Sequence, residues 1–292
     1  MNTSSSGVHA WPYPTLFAHR GGGILAPENT LAAMKCGYAH GYGAVEFDVK
    51  LSADNIAFLL HDDTVDRTTN SQGLAAAMTM AALEKCEAGA WHSAKFAGEK
   101  IPRFSAVAHY LHGLGIMANV EIKPCPGRDA ETGKLVAELC VELWRDRLVK
   151  PLLTSFSAAA LYAARDAATK AAHGAPATPM GLLVEVPDES HLATLQALEC
   201  VSLHCHHAKL TPERVRFFHD HGFHVLTYTV NDVDRAAALL AMGVDGLFTD
   251  NLEIMARRFP AALHDGGRPM RSAQRSPASE VNWLSISLPP MP

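Results

Sequence analysis

Four short strings hold the side chains whose types and spacing could do chemistry: His19-Arg20-Gly21-Gly22-Gly23, Glu46-Phe47-Asp48, His61-Asp62-Asp63 and Glu121-Ile122-Lys123. Each ends an apolar, β-like run. Successive strand side chains alternate faces, so residues two apart point the same way. Glu46 with Asp48, and Glu121 with Lys123, are therefore two pairs, each aimed at one surface. Three carboxylates offer only oxygen donors, the ligand set of a hard divalent cation, Mg2+ or Ca2+. His19 and His61 titrate near neutrality, so one can remove a proton from a nucleophile while the other protonates a leaving alcohol. Arg20 and Lys123 balance the carboxylates and supply donors to phosphate oxygens, one as a planar fork and one as a point charge. Gathered at one place, these groups make a phosphate-handling metal site. Acidic residues within apolar strands are costly unless paired or metal-bound, which argues against ordinary surface carboxylates.

The elements that must carry these strings follow from periodicity. Apolar runs predict strands at 15–18, 44–49, 56–61, 117–122, 152–156, 180–186, 201–205, 224–230 and 246–249. Amphipathic stretches predict a helix opening at Asn29 as N-cap, and others near 132–147, 158–170, 189–198, 212–221 and 233–242. Alternating strands and helices predict an α/β chain with a mainly parallel sheet, here a TIM-type (β/α)8 barrel. Nine strands are one too many. The link 50–55 is too short for a crossover helix between parallel strands. Strands 44–49 and 56–61 are thus expected to form a hairpin turning near Ala53-Asp54-Asn55, which makes the barrel irregular near its second and third strands. That register sets Asp48 opposite Leu60 and returns His61 to the carboxylates.

The segment from about 66 to 106 has no clear strand and carries Gly73, a helical piece at 80–86, Trp91, Phe96 and Phe104. Long excursions within compact domains are usually functional, so it reads as a small insertion over the C-terminal mouth of the barrel. Residues 1–264 form the barrel domain, and 265–292, rich in Gly, Pro, Ser and Arg, read as a flexible tail.

Other signals narrow the function. The chain of 292 residues has a net charge of −5 and no basic stripe, which excludes a nucleic-acid surface. No apolar run approaches the roughly 18 residues of a membrane span. Met1 to Pro14 lack the basic and apolar regions of a secretory signal, so a cytoplasmic location is expected. Six cysteines without a regular framework read as reduced thiols. The glycine run lacks both the dinucleotide-fold and P-loop spacings, and Ser155 and Ser157 lack a GxSxG elbow. His204-Cys205-His206-His207 comes too late in the chain for an amidohydrolase-type zinc pair; His204 and Trp91 remain as candidates to line the mouth. Asp62, Asp63 and Arg67 are expected to fix the loop behind His61.

Taken as strings, the chain resembles the glycerophosphodiester phosphodiesterases, closest in look to their bacterial cytosolic branch. The matching stretches are Ala18-His19-Arg20-Gly21-Gly22, Ala26-Pro27-Glu28-Asn29-Thr30-Leu31, Val45-Glu46-Phe47-Asp48-Val49, the run His61 to Thr69, Val120-Glu121-Ile122-Lys123-Pro124, Tyr228-Thr229-Val230-Asn231 and Gly243 to Asp250. They keep the family's order over roughly 12–260. The resemblance implies a metal-dependent hydrolysis of small glycerophosphodiesters, such as glycerophosphocholine and glycerophosphoethanolamine, to sn-glycerol 3-phosphate and an alcohol. It further implies a divalent cation, Mg2+ or Ca2+, on Glu46, Asp48 and Glu121, catalytic His19 and His61, and phosphate contacts from Arg20 and Lys123. His19 is first assigned as general base and His61 as acid, with the two roles interchangeable. A lysophospholipase D acting on a monoacylated lipid through an apolar channel (Trp91, Phe96, Phe104), and a silent glycerophosphodiester-binding module, are the alternatives. The partner is a small molecule, and the oligomeric state stays open.

Overall fold

The computed structural model describes residues 11–172 and 178–264, so the expected tail at 265–292 lies outside the described residues. Nine strands occur among them: β1 (Leu16–Ala18), β2 (Ala44–Leu51), β3 (Ala57–Leu59), β4 (Met117–Ile122), β5 (Leu152–Ser155), β6 (Met180–Val184), β7 (Ser202–His206), β8 (His224–Tyr228) and β9 (Gly246–Thr249). Eight are parallel and run in the order β1-β9-β8-β7-β6-β5-β4-β2. The pairing of Ala18 with Val45 closes the ring between β1 and β2, giving a TIM-type barrel. The ninth strand, β3, is antiparallel to the far end of β2, with Val49 opposite Leu59 and Leu51 opposite Ala57. The Leu60 amide donates to the Asp48 carbonyl at 3.2 Å, so the anticipated hairpin and register are both present.

The helices are α1 (Leu31–Ala39), α2 (Met80–Leu83), α3 (Phe104–Leu114), α4 (Asp129–Leu143), α5 (Ala158–Ala172), α6 (His191–Ala197), α7 (Pro212–Asp220), α8 (Val233–Ala241) and α9 (Leu252–Arg258). Local chemistry fixes their ends: Thr30, Thr211 and Asp232 cap α1, α7 and α8 through their side-chain oxygens. Asn29 is therefore not the cap of α1. It takes a left-handed φ of 59° and turns its side chain inward instead. Close packing of α4 on α5 needs a glycine, since a Cβ on Gly133 would lie 2.0 Å from the Ala160 carbonyl oxygen.

Two helices, α3 and α9, were not anticipated. The first buries Phe104, Val107, Ala108 and Leu111, spaced as one helical face. Phe104 packs between Phe47 and Trp144, at ring separations of 6.1 and 6.0 Å, so it belongs to the barrel wall and not to the mouth. The insertion accordingly ends before residue 104. It packs Val65, Met80, Leu83 and Ile101 with Phe58 and Leu60 of the hairpin into a small core of its own. It is tied to the loop after β1 by His92 on the Ile24 carbonyl and by Arg67 on Glu28. Inside the barrel, Phe17, Leu152, Leu226 and Phe248 fill the lower layers. Trp11 and Tyr13 join that layer from the N-terminal end, where the Tyr13 hydroxyl donates to the Lys150 carbonyl. All six cysteines are buried and free. No described helix is long and apolar enough to cross a membrane.

Candidate active site

Glu46 and Asp48 share one face of β2, and Glu121 sits beside Asp48 in the parallel register of β4. All three are buried, at 4, 1 and 8% exposure, and one oxygen of each lies within 4.8 Å of the others. Burial and the charge of Asp48 push both glutamates well above the usual carboxylate range. Burial also opposes ionisation of Asp48, but Lys123, Arg20 and His61 together outweigh it and hold that group low. Three converging buried carboxylates strain against each other unless positive charge is added, so this donor set fits a divalent cation. Lys123 Nζ lies 3.3 Å from both Asp48 Oδ1 and Glu121 Oε1. With all three carboxylates ionised, as cation binding requires, they sum with Arg20 and Lys123 to one negative charge, which a divalent cation would turn to one positive.

The loop after β1 places His19 and Arg20. It needs left-handed backbone at Arg20, Gly21 and Gly23. A Cβ on Gly23 would sit 2.1 Å from the Asp250 carbonyl oxygen, so the glycine run is a positioning device and not a phosphate loop. The Arg20 amide donates to Glu46 Oε2 at 2.9 Å, and its guanidinium to Glu28 Oε1 at 2.7 Å. Its Nε is buried without a hydrogen-bond partner among the described residues and faces Asp48 Oδ2 at 3.8 Å.

Each histidine is held by a carboxylate at Nδ1: His19 by Asp250 at 2.6 Å, and His61 by Asp62 at 2.8 Å. That leaves each Nε2 without a hydrogen bond to a carboxylate. Burial disfavours charge on His19, but Asp250 and Glu46 more than compensate, so its pKa is raised. Burial and the cations Arg20 and Lys123 outweigh Asp48 and Asp62 at His61, whose pKa is lowered. Arg67 ties the second dyad to the first loop by binding Asp62 and Glu28 together. The expected role of Asp62 and Arg67 behind His61 is met, whereas Asp63 turns to the buried Lys50 at 2.7 Å.

His19, Arg20, Glu46, Asp48, His61, Glu121 and Lys123 all line one cavity of about 410 Å3. His204 also lines it, but as a fully buried residue deep in the barrel, not at the strand end. Burial pushes it down to about 3, so it is a neutral imidazole. Trp91 does not line the cavity; its indole donates to the Ala88 carbonyl within the insertion. No lining residue comes from the insertion at all, so it braces the β1 loop and hairpin from the side and does not roof the cavity.

Several residues escaped the sequence reading. Asp250 orients His19 and is itself held by Asn231, whose amide donates to Oδ2 at 2.9 Å. Asn29 clasps Asp48 twice, donating to Oδ2 at 2.8 Å and accepting from its amide at 3.0 Å. Asn119 stands two residues before Glu121, on the same face, and the alternation already applied to Glu121 and Lys123 would have found it.

Comparison with known proteins agrees with this geometry. Residues 19–254 match the model of the glycerophosphoryl diester phosphodiesterase family. A glycerophosphodiester phosphodiesterase of Caldanaerobacter subterraneus is 32% identical over 246 residues, covering 82% of this chain and 95% of its own. One from Bacillus subtilis is 28% identical over 251 residues, covering 80% and 82%. Among solved structures, an Oleispira antarctica phosphodiesterase in complex with the product sn-glycerol-3-phosphate is similar at a TM-score of 0.77 and 30% identity, over 85% of this chain and 97% of that one. With its closed barrel, its paired carboxylates and this match over most of its length, the chain belongs to the glycerophosphoryl diester phosphodiesterase family and is a phosphodiesterase of that kind.

Proposed function

We propose that the protein hydrolyses small glycerophosphodiesters to sn-glycerol 3-phosphate and an alcohol, with Mg2+ or Ca2+ held by Glu46, Asp48 and Glu121. The observation that carries this reading is the pair of carboxylate-oriented histidines flanking one buried three-carboxylate cluster. Binding alone needs no such matched acid and base. The product held by the Oleispira relative supports the glycerol 3-phosphate half of the diester. The cation, when bound, supplies charge that polarises the phosphoryl group. Arg20 and Lys123, both beside Asp48, hold the charge that grows on the phosphoryl oxygens.

Asp250 backs His19 at 2.6 Å, whereas Asp62 behind His61 also neutralises Arg67, so His19 is the better-backed acid and His61 the base, the reverse of the first assignment. His61, neutral, takes at Nε2 the proton of a water or of the neighbouring glycerol hydroxyl; in the second case a cyclic phosphate forms, and a water then opens it to glycerol 3-phosphate. His19, protonated and backed by Asp250, gives its Nε2 proton to the departing alcohol oxygen. Trp91, Phe96 and Phe104, the residues expected to form an acyl channel, are all absent from the cavity lining.

A change of leaving group tests the assignment. Loss of a general acid costs about 10^2 to 10^4 in rate, but p-nitrophenolate leaves without protonation. His19→Ala should therefore be severely impaired on glycerophosphocholine and much less so on glycerol 3-phospho-p-nitrophenol. His61→Ala should lose both. Equal losses in His19→Ala on the two substrates would refute the assignment.

A further inference from the structure

The cavity has two unlike sides, and the reaction outlined above uses only one. Where β5 to β8 end, across the ring from β2 for all but Phe156, stand Phe156, Glu185, His206 and Tyr228, all lining the same space, with Phe156 and Glu185 exposed. Phe156 is 45% exposed, although its ring packs edge-on to Tyr228 at 5.8 Å and 79°. His206 meets Tyr228 from another side, at 6.1 Å and 86°. The Tyr228 hydroxyl donates to the Val184 carbonyl at 2.9 Å, which fixes its ring against β6. Glu185 follows β6 directly. Its exposed carboxylate makes no hydrogen bond or ion pair among the described residues, and no lysine or arginine lines that wall. Aromatic rings beside an unpaired carboxylate form the setting that attracts a poorly hydrated cation.

The deep end is different. Asn119 Oδ1 and His204 Nδ1 are buried there without hydrogen-bond partners. Such atoms call for a polar group from a ligand, and the hydroxyls of a glycerol can supply it. Charge is arranged in the same sense. Arg20 and Lys123 stand on the phosphate side and Glu185 on the rim, complementary to a zwitterion with its phosphate inside and its cation outside.

Resting on the phosphodiesterase reading, we propose that Glu185, with the rings of Phe156, Tyr228 and His206, is a recognition site for a cationic head group, a quaternary or primary ammonium, on the alcohol that departs. Diesters then bind with glycerol deep and the ammonium at the rim. Zwitterionic glycerophosphodiesters are preferred over those whose second alcohol is neutral.

The test compares kcat/KM for glycerophosphocholine and for glycerophosphoglycerol, read as glycerol 3-phosphate release, in the full chain and in Glu185→Gln and Phe156→Leu. The ratio of the two values is independent of the fraction of folded enzyme. The wild-type ratio should favour choline by about tenfold, as a partly desolvated cation–π and carboxylate site supports. Both variants should bring it toward unity, through KM more than kcat. A wild-type ratio near one, or a ratio unmoved by both substitutions, overturns the cation site while leaving the phosphodiesterase reading standing. Absence of release from either substrate by the wild type overturns that underlying reading instead.

Discussion

Replacing Asp250 by asparagine removes a charge that raises the His19 pKa while keeping the size of the side chain. Asp250 Oδ1 lies 2.6 Å from His19 Nδ1, and its other oxygen is fixed by Asn231. A charge-assisted hydrogen bond of this kind contributes about 1.5–3 kcal/mol. At 1.36 kcal/mol per pKa unit, its loss lowers the His19 pKa by about 1–2 units. Glu46 also raises that pKa, but its influence falls once its charge is shared with a cation, so Asp250 is the lasting source. The sign follows: a His19 that acts as acid is lost at lower pH in Asp250→Asn. The alkaline limb of kcat/KM against pH should move down by about 1–2 units, with the acid limb unchanged. At pH above both limbs the variant should be about 10- to 100-fold slower, and the deficit should shrink as pH falls. The assay is glycerol 3-phosphate release from glycerophosphocholine between pH 5 and 9, with excess Mg2+ or Ca2+. An alkaline limb that stays in place, or an acid limb that moves instead, would refute the reasoning.

Further outcomes follow from single contacts. Saturating Mg2+ or Ca2+ at about 100 times its Kd should stabilise the fold by about 2.7 kcal/mol, raising Tm by some degrees, and Glu121→Gln should abolish most of that rise in differential scanning fluorimetry. Gly23→Ala forces a Cβ onto the Asp250 carbonyl, 2.1 Å away, so it should cost about 2 kcal/mol or more in urea unfolding and displace the β1 loop. Phe104→Ala empties a fully buried site between Phe47 and Trp144 and should cost about 3–5 kcal/mol. Its circular dichroism spectrum should keep its shape while the melting midpoint drops.

The strands were readable because each is a short apolar run, and the two-residue alternation that betrays a strand face also assembled the carboxylate pairs. The hairpin followed from chain length alone, since five or six residues cannot span a parallel crossover. What escaped reading depends on closure of the ring. His19 and Asp250 are 231 positions apart and meet only because β1 lies beside β9. The Asn29 side chain looked like a helix cap because its type suits one; Thr30 next to it does that work, and a left-handed backbone sends Asn29 to Asp48. Helix α3 was hidden by its neighbours: its apolar face starts at Phe104, directly after an insertion poor in regular structure, so the aromatic was assigned to the mouth. Trp91 was misplaced for a related reason, since an aromatic in an insertion near an active site suggests a lid. Here its indole is turned to the insertion's own backbone.

The central claim is that three buried carboxylates hold a divalent cation on which phosphodiester cleavage depends. The most direct measurement is glycerol 3-phosphate release from glycerophosphocholine by the purified protein, after exhaustive chelation and again after adding Mg2+ or Ca2+. The account predicts no turnover in chelator and recovery on adding the cation, with neither in Glu46→Gln. Undiminished turnover in chelator, or wild-type turnover in Glu46→Gln, would contradict it.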